Sequence, residues 1–360
     1  MTASKTMRAV VFKGPRDVVV ETRPIPELSS PKDALIRVRA AGVCGTELHS
    51  YRGEMTPQPG YIMGHEFTGE VVEVGAAVKH FKAGDLVVAS FTQQCGECFY
   101  CLKGYSSMCE VTTTFGGPAL DGGQAEYVRV PYADTTLFRK PDDVEDSVLV
   151  MMADIFPTGY YGVKNYIDRI TDKKDLETDV VVSVGCGPVG LCAILAAKAM
   201  GVKNLYAIDT VPLRLTMAAE YGAIPIDLAD GDASILERIH ALTDGRGADA
   251  VLEIVGSESA LRLAFNLVRP LGFISSIGYQ HGKIPFTGLD CYMKNARMQF
   301  GRCPVRTIFA ESLEVFRKVS AQLEGFVDTS IDLEDAANGF ALFDQHKVRK
   351  VVLIPNMKEA

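Results

Sequence analysis

The stretch CGECFYCLKGYSSMC, Cys95 to Cys109, gathers four of the chain's nine cysteines into a C-x2-C-x2-C-x7-C run. Three chemistries use such thiols. A ferredoxin-type cluster run closes with x3 and a proline, whereas here x7 is followed by Glu110. A thioredoxin-like pair needs only two cysteines at the start of a helix. Four thiolates, with Gly96 and Gly104 in the turns, suit a closed tetrahedral zinc, which has no open position for a substrate. The expectation is a structural zinc on Cys95, Cys98, Cys101 and Cys109.

Reaction chemistry is then expected in AGVCGTELHSYRG, MGHEFTGE and MMADIFPTGYYG. Cys44, His65 and Asp154 offer thiolate, imidazole and carboxylate, three ligand types found in catalytic zinc sites. Glu66, beside His65, is a candidate extra ligand, expected to bind only transiently or to stay behind the first ligands. Taken singly, Cys44 also reads as a small buried hydrophobe, His65 as a core histidine and Asp154 as a helix cap. Separations of 21 and 89 residues leave that choice open.

A third element is VVVSVGCGPVGLCAILAAKAMG, which sets G-x-G-x-x-G at Gly185, Gly187 and Gly190, with Pro188 and Val189 between. A buried strand precedes it and an Ala-rich helix follows, with proline where a first helical turn tolerates it. Glycines there let the backbone approach a pyrophosphate at the positive end of the helix. The next strand, LYAID, ends in Asp209. A carboxylate at that point accepts hydrogen bonds from the adenosine ribose and repels a 2′-phosphate, which favours NAD over NADP. Asp209 has a second reading as a helix N-cap, and Arg214 nearby leaves tolerance for NADP.

The elements that position these groups divide the chain. The first ~150 residues read as short strands with turn punctuation, among them MRAVVF, ALIRVRAAGV, FTGEVVEVG, DLVVAS and QAEYVRV. Beyond Val180, near-continuous apolar strands alternate with helical runs, the signature of a parallel sheet with both faces covered. A closing strand, KVVLIP, needs a sheet to join. At 360 residues, 47% hydrophobic and 23% charged, the chain has room for two cores. Its net charge of −8 shows no basic block, which argues against nucleic acid and anionic membrane as partners. No apolar run approaches the ~20 residues of a membrane helix. The opening MTASKTMRAVVFKG lacks an apolar core followed by a cleavage site, so a cytoplasmic chain with reduced thiols is expected.

Cys44-Gly45-Thr46-x-x-His49, Gly64-His65-Glu66, the four-cysteine lobe and the dinucleotide loop occur in the order found in zinc-dependent, medium-chain alcohol dehydrogenases. The chain resembles that family over nearly its whole length. ADIFPTGYYG is most similar to the formaldehyde-dehydrogenase-like branch, in which aspartate replaces the second cysteine ligand. The long cofactor-covering insertion of the glutathione-independent formaldehyde enzymes is absent from this sequence. The polyol branch carries Glu-Pro-Leu where this chain has Asp154-Ile155-Phe156. The resemblance implies an α/β architecture: a Rossmann doubly wound parallel sheet over 157–300, and a β-rich GroES-like catalytic domain built from 1–156 and 301–360. It implies two zinc ions per subunit, one catalytic and one structural, and NAD. Thr46 takes the proton of an alcohol that the catalytic zinc acidifies for hydride transfer to nicotinamide. His49 passes that proton on to solvent. Thr158 and the Ile277-Gly278-Tyr279 backbone flank the nicotinamide, and Arg349 meets the pyrophosphate. Gly45 departs from the basic residue common beside the first ligand, which implies weaker pyrophosphate binding and faster NADH release. Phe91 resembles a substrate-pocket aromatic, while Tyr51, Phe115 and Tyr279 read equally as pocket or core residues.

The function expected is therefore reversible oxidation of an alcohol, most simply a primary one, by a homo-oligomer, dimer or tetramer. A biosynthetic carbonyl or iminium reductase on the same fold is the alternative, although loss of the relay pair would favour it and Thr46 and His49 are both present. A non-catalytic NAD-binding protein should have lost ligands, and none is missing.

Overall fold

The computed structural model describes residues 5–280 and 282–355, which divide into two compact units. The first takes the chain as far as Asp154, together with Pro304–Phe309 and the segment from Ala321 onward; the second takes Ile155–Cys303 and Ala310–Ser320. Ala310–Ser320, which the sequence reading placed with the catalytic domain, falls in the second unit, so the division runs through the helix Val305–Lys318.

The first unit is built around the strand Ala34–Gly42. It pairs antiparallel with Phe67–Val74, with Tyr127–Val130 and with Val351–Ile354. Its side chains alternate in the two-residue period of a pleated strand, with Ile36 and Val38 buried and Arg37 and Arg39 exposed. Ile36, Val38, Phe67, Val71, Val87 and Leu137 fill the core beneath it. The strand Val351–Ile354 joins Ala34–Gly42 through Val352 opposite Gly42 and Leu353 opposite Ala41. That register brings Lys350, just before the strand, close to the Gly42–Cys44 turn.

The second unit holds a six-stranded parallel sheet in the order Ile224–Asp227, Asn204–Asp209, Val180–Val184, Ala248–Glu253, Val268–Ser276, Arg297–Phe300. All five residues of Val180–Val184 are buried. This is why the strand reads as a near-continuous apolar run, interrupted only by the buried Ser183, rather than an alternating one. Numbered along the chain the order is 3-2-1-4-5-6, so it reverses between Val180–Val184 and Ala248–Glu253. In doubly wound sheets that reversal opens a crevice at the carboxyl ends of the strands, and ligands bind there. The α/β class and the doubly wound sheet expected from the sequence are both present. Among the described residues no helix is long and apolar enough to cross a membrane.

Candidate metal and dinucleotide sites

Three local structures in the first unit deliver one metal group. Cys44 caps the helix Gly45–Arg52, His65 and Glu66 lead into the strand Phe67–Val74, and Asp154 follows the turn Val150–Ala153. One donor atom from each of Cys44, His65, Glu66 and Asp154 lies within 4.8 Å of the others, and all four residues are buried. His65 Nε2 stands 3.4 Å from Asp154 Oδ2, and its Nδ1 stands 3.4 Å from Glu47 Oε1. The ring thus turns Nε2 toward the other donors and Nδ1 toward a carboxylate, the arrangement that fixes the tautomer of a metal-ligating histidine.

Glu47 does more than face His65. Its Oε2 accepts the Cys44 N–H at 3.1 Å and the Gln124 side-chain amide at 3.1 Å. One carboxylate therefore holds the backbone of one candidate ligand and the ring of another. It stands three residues after the N-cap and closes a capping box.

Behind the group sits a second charge. Lys350 is completely buried, and its ammonium donates to Glu66 Oε2 and, at 3.1 Å, to the Val43 carbonyl. Gly42 makes the room: a Cβ there would collide with the Glu66 carboxylate and stand 3.2 Å from Lys350 Nζ. Burial raises the Glu66 carboxyl, a shift that Lys350 partly offsets, and Glu66 in turn keeps Lys350 charged against its own burial. Burial likewise pushes the Cys44 thiol up. For His65, burial opposes the proton, but Cys44 and Asp154 outweigh it and hold the imidazole well above its usual range.

These donors fit a divalent cation. The buried Oε1 atom of Glu66 has no hydrogen-bond partner, an unfavourable state for a carboxylate unless a cation or its ligands balance it. Because Lys350 cancels the charge of Glu66, the set Cys44, His65 and Asp154 with Zn²⁺ is formally neutral.

The four thiols of the lobe also converge, each Sγ within 4.8 Å of the others. Backbone N–H groups point at the sulfurs: Cys98 N to Cys95 Sγ at 3.3 Å and Cys95 N to Cys109 Sγ at 3.2 Å. Backbone N–H groups of Cys101 and Glu110 draw the Cys98 thiol down to about 6, while burial drives Cys101 up to about 12. All nine cysteines are free thiols.

The candidate relay lies on the first turns of Gly45–Arg52. Thr46 Oγ1 is 3.9 Å from Cys44 Sγ. His49 Nδ1 is 2.5 Å from Glu54 Oε2, with 19% of the His49 side chain exposed. Phe91 is buried with its ring edge-on to His65, centroids 6.4 Å apart. Tyr51 packs on Phe340, and Phe115 on Phe67, so these two are core residues. Tyr279 is 48% exposed.

In the second unit the phosphate loop has the form its sequence predicts. Gly185 follows the buried strand, Gly187 caps the helix Pro188–Ala199, and Pro188 and Val189 open it. A Cβ at Gly190 would strike the Gly185 carbonyl, so only glycine lets helix and turn approach this closely. Asp209 ends its strand, and its Oδ2 accepts the Cys186 N–H of that loop at 2.7 Å. Its Oδ1 accepts from Thr210 and Val211, Arg214 stands 3.8 Å away, and Val211 rather than Asp209 caps the next helix. Thr158 lies in the helix Ile155–Ile167, and the Ile277 N–H donates to the Glu253 carbonyl at 3.0 Å.

The Arg349 side chain bonds the Gly325 carbonyl at 2.9 Å and lies 3.9 Å from Asp328. The basic side chain that the structure sets beside the metal group is its neighbour, Lys350. Sequence reasoning missed Lys350, Glu47, Gln124 and Glu54; only Glu47 carried a local signal, as the acid three residues after a cap.

A doubly wound dinucleotide sheet with a separate β-rich unit carrying two convergent metal groups defines a metal-dependent dehydrogenase. Two family models match: the alcohol dehydrogenase GroES-like domain over residues 30–142, and the zinc-binding dehydrogenase domain over residues 188–318. Zinc-type alcohol dehydrogenase B of Aspergillus flavus is 47% identical over 98% of this chain and 82% of that protein. The medium chain reductase/dehydrogenase ucsI of an Acremonium species is 50% identical over 79% of this chain and 98% of that protein. Among solved structures, alcohol dehydrogenase TADH from Thermus sp. ATN1 superposes with a TM-score of 0.89 at 36% identity, covering 97% of this chain and 100% of that one. The chain belongs to the zinc-dependent, medium-chain alcohol dehydrogenase family. It is an oxidoreductase whose cofactors are zinc and a nicotinamide dinucleotide. The comparisons support the family as a whole rather than its formaldehyde-dehydrogenase-like branch.

Proposed function

We propose that this chain is an NAD-dependent alcohol dehydrogenase acting reversibly on primary alcohols and aldehydes. The observation that carries the reading is the buried convergence of Cys44, His65 and Asp154 within 4.8 Å, with Thr46 two residues from the first donor. Cys44, His65 and Asp154 would hold the catalytic zinc, and Cys95, Cys98, Cys101 and Cys109 the structural one, two per subunit. Bound at the first group, zinc supplies Lewis acidity that lowers the pKa of a substrate hydroxyl.

The protein's own residues do the rest. Glu47 orients His65, and Lys350 holds Glu66 back as a paired carboxylate. Thr46 Oγ1 would accept the proton of the alcohol as its own hydroxyl proton moves on toward His49, which, held by Glu54, would hand a proton to solvent. Phe91 walls the substrate side of His65 and excludes water there. Gly185, Gly187 and Gly190 leave the phosphate loop open to a pyrophosphate, with Pro188 and Val189 starting the helix behind it. Asp209 favours NAD by opposing a 2′-phosphate, and Arg214 tempers that preference. Thr158 and Ile277–Tyr279 would flank the nicotinamide. Exposed Phe99, Leu102, Tyr105 and Met108 around the cysteine lobe favour association into a homo-oligomer.

The Acremonium relative, named as a reductase/dehydrogenase, favours a second reading, a biosynthetic carbonyl or iminium reductase. One experiment separates the two. NADH and NADPH formation is followed across alcohols of graded size, with the reverse reaction run on the matching aldehydes and on cyclic imines. Turnover of short primary alcohols with NAD supports the first reading. Turnover confined to imines or bulky ketones overturns it.

A further inference from the structure

Glu253 ends the strand Ala248–Glu253 and is fully buried. Its carboxylate accepts four hydrogen bonds, two from the loop after its own strand and two from the end of the neighbouring strand and the loop beyond it. Oε1 takes the N–H groups of Val255 at 2.9 Å and Gly256 at 2.8 Å. Oε2 takes the Ser276 hydroxyl at 2.7 Å and the Gln280 side-chain amide at 2.6 Å. One side chain therefore ties the loop after its own strand to the loop after the neighbouring strand, Val268–Ser276.

Those loops meet at backbone level. A Cβ on Gly278 would collide with the Gly256 nitrogen, and one on Gly256 would stand 2.5 Å from the Tyr279 carbonyl oxygen. On the other side, Val255 Cγ2 lies 2.7 Å from where any residue but glycine would carry a Cβ at position 185, and Ile254 N–H donates to the Val184 carbonyl at 3.1 Å. The clamp thus reaches the phosphate loop. It sits at the reversal of strand order, where a doubly wound sheet receives its dinucleotide.

All four donors are neutral, so the buried charge has its hydrogen bonds and no counter-charge among them. A carboxylate serves all four donors as they stand, whereas the N–H₂ of an amide would need Ser276 and Gln280 both to turn round and accept. We infer that Glu253 is a positioning residue for the dinucleotide. It holds Val255–Gly256 and Ile277–Tyr279 in the register that receives the nicotinamide half. This rests on the dinucleotide reading above.

The test uses the zinc-loaded protein and NADH binding by fluorescence titration. Glu253→Leu, which removes all four acceptors and cannot be answered by a flip of Gln280, should weaken NADH about tenfold or more, with zinc content unchanged. The double variant Glu253→Gln/Gln280→Glu keeps an acceptor for the backbone amides and a donor facing an acceptor at position 280, and should recover most of the affinity. Without any dinucleotide, the Val255 and Gly256 amides should exchange with solvent faster in the single variant and return to the wild-type rate in the double. Should Glu253→Leu not fold, Gln280→Leu removes one donor and should still weaken NADH several-fold. NADH affinity within about twofold of wild type in these single variants, or no recovery in the double, overturns the inference. Wild type binding neither NADH nor NADPH overturns the dinucleotide reading instead, and the clamp then stands or falls on the amide exchange.

Discussion

Replacing Lys350 with methionine removes the ammonium paired with Glu66. Lys350 and Glu66 both have 0% of their side chains exposed, so water cannot take over the pairing. The variant leaves the Glu66 carboxylate buried without its cation, and Glu66 Oε1 already lacks a hydrogen-bond partner. The Val43 carbonyl loses its donor as well. Breaking a buried pair from one side costs about 3–5 kcal/mol, which for a unit of this size lowers the melting temperature by roughly 10 °C. The methionine stem fills most of the lysine volume, so the loss is electrostatic rather than a cavity. Lys350→Met/Glu66→Leu strands no charge and should return to within about 2 kcal/mol of wild type. Scanning calorimetry of wild type, both single variants and the double variant, with zinc measured on each sample, reads this directly. A single variant within about 1 kcal/mol of wild type, or a double variant no better than Lys350→Met, would mean that the Lys350–Glu66 pair does not stabilise the unit.

Three other perturbations follow from the same geometry. Glu47→Ala should loosen the catalytic zinc about 10–100-fold, since an orienting carboxylate is lost; chelator competition measures it, and an unchanged affinity would make Glu47 only a helix cap. His49→Ala should slow alcohol oxidation most near neutral pH and be partly rescued by imidazole buffer, and an unaltered pH–rate profile would make His49 a bystander. Asp209→Ser should lose much of the preference for NAD in kcat/KM, whereas a wild type that prefers NADP would contradict the assignment of Asp209.

Legibility in the sequence followed the reach of each interaction. The phosphate loop and the cysteine lobe are local: strand, glycines and helix, or four thiols, are contiguous, and local spacing determines their geometry. Cys44, His65 and Asp154 converge only through sheet register, and it was the resemblance to a family that joined them. The partners of the site were harder still. Lys350 stands 284 residues from Glu66, and no periodicity links them. Arg349 and Lys350 are adjacent basic residues entering a strand, so they point to opposite faces; which one reaches the interior depends on the pairing of Leu353 with Ala41. Glu47 was readable as a capping acid, yet its contact with the His65 ring was not. Tyr51 and Phe115 had the size of pocket residues, and only their packing on Phe340 and Phe67 assigns them to the core.

Two zinc sites are expected to divide the work, one open for chemistry and one closed for structure. Metal analysis and NADH formation on the same preparations of wild type, Asp154→Ala and Cys101→Ser separate the two. Wild type should carry about two zinc per subunit and each variant about one. Asp154→Ala should be folded and inactive, while Cys101→Ser should be less stable yet close to normal in turnover per catalytic zinc. Full activity in Asp154→Ala, or two zinc and undiminished stability in Cys101→Ser, would contradict that division.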